Sequence, residues 1–141
     1  MARIVVGVDG SDHAVRALRW AVEEARLRDA KLVLVHVATS AGPSPPTPAT
    51  PETRAELARL SRELVIDEAL AAVRTEGVAV DRLPLLGHPA EVLAATAEGA
   101  DLLVVGARGL GGFRGLLLGS VTQHLLTSAT CPVAVIVPDE R

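Results

Sequence analysis

Residues 101–120 read DLLVVGARGLGGFRGLLLGS, and their reading decides the fold. Leu102-Leu103-Val104-Val105 is an uncharged apolar run, the pattern of a strand covered on both faces. Gly106, Gly109, Gly111, Gly112, Gly115 and Gly119 crowd the turn that follows. Residues 120–128 then read as a helix, and Val133-Ala134-Val135-Ile136-Val137 as a further strand. A buried strand, a glycine-rich turn, a helix and a second strand make a βαβ unit, which belongs to a parallel sheet with right-handed crossovers.

The same alternation extends upstream. Residues 4–8 form a short β-branched run, and residues 11–29 carry apolar positions at helical spacing, with Ser11 as N-cap and Asp12 complementing the helix dipole. Residues 31–37 are a second strand. Residues 38–50, rich in Pro, Ser, Thr and Gly, are expected to form a mobile surface loop. Pro51 opens a long helix expected to reach Glu76, with Gly77 as its stop. Residues 78–85 are a third strand, and Gly87-His88-Pro89 opens a helix through Glu98. One domain spanning residues 1–141 is expected.

Composition narrows the function. Trp20 and Phe113 are the two aromatic residues, so the core is aliphatic. The net charge is −3, Lys31 is the single lysine, and the arginines are scattered. Nucleic-acid binding needs a basic stripe, with stacking aromatics for single strands, so that class is set aside. Cys131 is the only cysteine, which rules out an internal disulfide and reads as a buried structural thiol. The first residues run into a strand pattern and not a signal peptide, and no apolar run approaches membrane-spanning length. A cytoplasmic protein without a membrane partner is expected.

In an open parallel sheet, ligands sit beyond the carboxyl ends of the strands. The glycine-rich turn lies there, where main-chain N–H groups can ring an anion and a helix N-terminus follows. Arg108 and Arg114 could add charge-assisted bonds, although each taken alone reads as a solvated side chain. Ser120-Val121-Thr122-Gln123 also fits a capping box that needs no ligand. Asp9 reads equally as a ribose or cation ligand and as the stabiliser of an Asp-Gly turn. His36 reads as a packed, satisfied histidine and His88 as exposed. No catalytic set emerges from the spacing, and the P-loop and G-x-G-x-x-G patterns are absent.

Over residues 3–137 the chain resembles the universal stress protein family. That family's ATP signature is a glycine, two residues, a glycine, nine residues, then glycine and Ser or Thr. Gly106-Ala107-Arg108-Gly109, residues 110–118 and Gly119-Ser120 match it, and Val8-Asp9-Gly10-Ser11, Leu34-Val35-His36-Val37 and residues 101–109 agree. The resemblance implies an open five-stranded parallel sheet of order 3-2-1-4-5 with helices on both faces, Rossmann-like and akin to the adenine nucleotide alpha hydrolases. It implies ATP, ADP or AMP as ligand, with Mg or Mn bound through the phosphates. Gly106, Gly109, Gly119, Ser120 and Val121 would meet ribose and phosphates, with Arg108 beside them. Asp9 would meet the ribose–phosphate region, flanked by Val8, Gly10 and Ser11, and the Val37 backbone would recognise adenine.

In that strand order the last strand is an uncharged edge, whereas Asp81, Arg82 and Pro84 guard strand three. A homodimer through residues 133–137 is therefore expected. The leading functional expectation is a nucleotide-dependent regulator of the stress response with at most slow ATP hydrolysis. The alternatives are a nucleotidyl- or phosphoryl-transferring enzyme using Asp9, and an interaction module independent of nucleotide.

Overall fold

The β-branched start forms β1 (Arg3–Gly7), and the chain continues as α1 (Asp12–Arg28), β2 (Lys31–Ala38), α2 (Pro51–Ala71) and β3 (Val80–Leu86). It proceeds through α3 (Pro89–Thr96), β4 (Leu102–Gly106), α4 (Ser120–Ser128) and β5 (Val133–Ile136). The computed structural model describes residues 2–39, 50–108 and 118–138. The five strands are all parallel, in the order β3-β2-β1-β4-β5, as the resemblance implied. Gly109, Arg114 and the rest of residues 109–117 lie outside the described residues, as do residues 40–49 of the expected surface loop.

Strand side chains alternate between faces, and each face has its own aliphatic core. Ile4, Val6, Leu32, Leu34 and Val104 pack with Ala14, Leu18 and Val22 of α1 and Ile66 of α2. Val5, Val33, Val35, Leu103 and Val105 pack with Leu93 of α3 and Leu125 of α4. Leu18 and Leu125 are both fully buried. Burying such a side chain contributes about 1.5–3 kcal/mol. β1 lies at the centre, so the two crossovers that leave it and β4 pass to opposite faces. That divergence opens a crevice at the carboxyl edge.

α2 ends earlier than the Gly77 stop signal predicted. It stops at Ala71 rather than Glu76, and Gly77, with φ +81°, sits in the turn beyond. Arginines from α1 hold the carbonyls of the segment that follows α2: Arg19 donates to Ala72, and Arg26 to Arg74 and Glu76. The freed segment turns Val73 and Val78 against the core. β3 accordingly starts at Val80, two residues later than expected. Asp81 and Arg82 on this edge are exposed. At the opposite edge the residues of β5 are half-buried.

Candidate functional site

Three strand ends meet at the carboxyl edge. After β1, Asp9 Oδ1 accepts both the Ser11 N–H, at 2.9 Å, and the Ser11 hydroxyl, at 2.5 Å. Gly10 turns the chain with φ +89°, a conformation that favours glycine. Ser11 Oγ in turn accepts the Ala14 N–H at 3.1 Å and caps α1. One Asp9 oxygen therefore builds the turn, and Oδ2 has no partner among the described residues.

At the end of β2 the ladder stops short. Val8 N–H donates to the Val35 carbonyl at 2.8 Å, continuing the register that pairs Gly7 with Val35. The next step of a parallel ladder would bring the Val37 N–H onto the Val8 carbonyl. His36 Nδ1 lies on that carbonyl instead, at 2.9 Å. A carbonyl only accepts, so Nδ1 carries the proton. Odd-numbered residues of β2 direct their main-chain groups toward β1, because Lys31 N–H donates to Ala2. The Val37 N–H and C=O thus face the gap where β1 has turned away. His36 is satisfied, as expected, and its partner is part of the site.

After β4 the chain leaves and returns through a narrow neck. Gly119 N–H donates to the Ala107 carbonyl at 2.7 Å, and Ala107 N–H donates to Ile136 at 2.9 Å. Thr122 Oγ1 donates to the Gly106 carbonyl at 2.8 Å. A Cβ on Gly106 would lie 3.2 Å from the carbonyl oxygens of both His13 and Arg108, so the surrounding backbone leaves little room for a side chain here. Arg108 is half-buried rather than solvated.

The capping box that residues 120–123 also fit does not form. Gly119 is the N-cap of α4, Ser120 is the first helical residue, and the Gln123 side chain donates to the Leu118 carbonyl at 2.8 Å. Because the Gly119 amide is already engaged, the first-turn donors without a partner among the described residues are the amides of Ser120, Val121 and Thr122. Thr122 was not among the sequence-derived candidates. α1 and α2 have side-chain caps and acidic first turns, and α3 has Glu91. α4 has neither.

A depression joins the first turns of α3 and α4, lined by His88, Pro89, Glu91, Ser120, Val121 and His124. His88 is the N-cap of α3 but makes no side-chain cap bond, and Pro89 occupies the first turn. Gly87-His88-Pro89 was the sequence signal for this second wall, legible only as a helix start. Among the described residues no three His, Cys, Asp or Glu converge on a cation position. Cys131 is half-buried, not buried as expected. Partial burial outweighs the charge of Arg3 and pushes its thiol above the ordinary cysteine value.

The model of the Universal stress protein family matches residues 1–137. A universal stress protein of Thermus aquaticus is 38% identical over 135 residues, covering 94% of this chain and 96% of the relative. The chain spans about half the length of the mycobacterial relatives it matches. Among solved structures, a universal stress protein in complex with cAMP is 27% identical with a TM-score of 0.71, covering 96% of each chain. The Archaeoglobus fulgidus universal stress protein in complex with dAMP is 29% identical with a TM-score of 0.70, covering 96% of this chain and 98% of that one.

Proposed function

This chain belongs to the universal stress protein family, and from that premise we propose that it binds an adenine nucleotide, ATP, ADP or AMP, across the carboxyl edge of its sheet. One observation carries the reading: α4 presents its first-turn amides with neither a side-chain cap nor an acidic residue. The phosphates take the amides of Ser120, Val121 and Thr122, each contact worth about 0.3–1 kcal/mol at an exposed helix end. Gly106, Arg108, Gly109 and Gly119 frame the same phosphates. The Val37 N–H and C=O match the acceptor N1 and the amino group of adenine. Val8, Asp9, Gly10 and Ser11 wall the ribose, with Asp9 Oδ2 accepting from a hydroxyl. Mg or Mn is carried on the phosphate oxygens. Neighbours crystallised with cAMP and dAMP support the adenine assignment.

In this reading the protein is a nucleotide-dependent regulator of the stress response that turns ATP over slowly at most. It acts as a homodimer through β5, whose uncharged edge offers unpaired main-chain groups to a second copy. A monomer in sedimentation at micromolar concentration contradicts the dimer. Calorimetric titration with Mg-ATP tests the nucleotide, and saturable binding with Kd below about 1 mM is expected. No heat at that concentration, together with no nucleotide released on denaturing freshly purified protein, overturns the assignment.

A further inference from the structure

We propose that His36 is a positioning residue for base recognition: its imidazole takes the carbonyl that would otherwise close the ladder on Val37. The inference rests on the nucleotide reading above for its purpose, but its structural core stands without a ligand. Val8 N–H is still in register with the Val35 carbonyl, so the Val8 C=O points toward β2, as the ladder requires. The natural partner for that carbonyl is the Val37 N–H. His36 Nδ1 holds it at 2.9 Å from the face of the sheet that carries α1 and α2.

The consequence is chemical. Without the imidazole, β1 and β2 would zip one step further and bond the Val37 amide internally. With it, Val8 remains anchored, and the Val37 donor and acceptor stay available in the gap. On its other side β2 is fully paired, since the register with β3 runs through Val37 to Ala38, and Gly87 N–H donates to the Ala38 carbonyl at 3.0 Å. The interruption is therefore confined to the side that faces the proposed base. His36 acts through Val8 and Val37 and needs no contact with the nucleotide itself.

The test compares the wild-type chain with His36→Leu, which has no donor, and His36→Asn, whose amide N–H can occupy the place of Nδ1. Amide hydrogen exchange is measured first, with no nucleotide present. In the wild type the Val37 amide should exchange at least about tenfold faster than that of Val35. His36→Leu should slow it by about tenfold or more, and His36→Asn should restore the fast exchange. In calorimetry, His36→Leu should weaken ATP about tenfold and leave inorganic tripolyphosphate within about twofold, with His36→Asn close to wild type.

A Val37 amide as protected as Val35 in the wild type overturns the proposal. So does exchange unchanged in His36→Leu, or an equal loss of ATP and tripolyphosphate in that variant. A wild-type chain with the predicted exchange pattern but no affinity for ATP refutes the nucleotide reading and leaves the ladder interruption standing. If His36→Leu does not fold, His36→Gln, which moves the amide one methylene outward, should show the slowed Val37 exchange, and exchange as fast as wild type in it counts against the proposal.

Discussion

The two ends of the sheet are built from the same strands and differ in how completely their polar groups are paired. At the amino end the Arg3 N–H donates to Asp101 Oδ2 at 2.8 Å, and its guanidinium donates to the carbonyls of Thr96 and Glu98 at 3.0 and 2.8 Å. Lys31 N–H reaches Ala2, Asp101 N–H reaches Arg3, and the Lys31 ammonium pairs with Asp81. At the carboxyl end a side chain interrupts the ladder and α4 starts without a cap. Pairing at one end gives stability. At the other end the main-chain groups without a partner among the described residues are those to which the nucleotide is proposed to bind.

The largest expected effect lies at the open end. Gly119→Val, which puts a branched side chain over the first turn of α4, should weaken ATP by about a hundredfold or more, roughly 2.8 kcal/mol, by calorimetry. The helical signal in circular dichroism should be preserved. Affinity unchanged in that variant would remove α4 from the site.

At the closed end the same kind of change should move stability and not binding. Arg3→Ala leaves the carbonyls of Thr96 and Glu98 without their charged donor and should cost about 2 kcal/mol in urea denaturation. ATP affinity should stay within about twofold of wild type. A comparable loss of affinity would show that the two ends are not independent.

Gly106→Ala falls between the two regions in character. Its new Cβ meets two backbone carbonyl oxygens at 3.2 Å, so it should destabilise by about 1–2 kcal/mol. Because Gly106 also anchors Thr122, ATP should weaken as well, by less than in Gly119→Val.

The smallest effect concerns Cys131, which precedes β5 at the paired end. Its raised pKa leaves less thiolate at neutral pH than free cysteine has, so alkylation by iodoacetamide should be slower. The rate should climb as pH rises past the ordinary cysteine range. A thiol faster than free cysteine at pH 7 contradicts the burial argument.

The architecture was legible in the sequence because strands covered on both faces have to be continuous apolar runs, and residues 102–105 and 32–35 are such runs. Ser11 and Pro51 announced their helices by cap chemistry that depends on neighbours in the chain, and Ser11 makes the expected cap bond. What local patterns missed was set by distant partners. The segment beyond α2 is held by Arg19 and Arg26 from another helix. The role of Gly106 is fixed by the His13 carbonyl, and that of His36 by Val8, twenty-eight positions away. The glycine spacing pointed to the carboxyl edge, where the site is proposed, yet it could not reveal that the Gly119 amide is taken by Ala107 while the Thr122 amide has no partner among the described residues. Spacing records where backbone is bare. Only the folded neighbours determine which of its groups remain available.

An amide chemical-shift map of the 141-residue chain during titration with Mg-ATP tests the contrast between the two ends most directly. The resonances of Val37, Ser120, Val121 and Thr122 should move furthest and saturate together, while those of Lys31 and Asp101 stay in place. Saturating shifts centred on the amino ends of the strands, with Val37 and the first turn of α4 unmoved, would contradict the account.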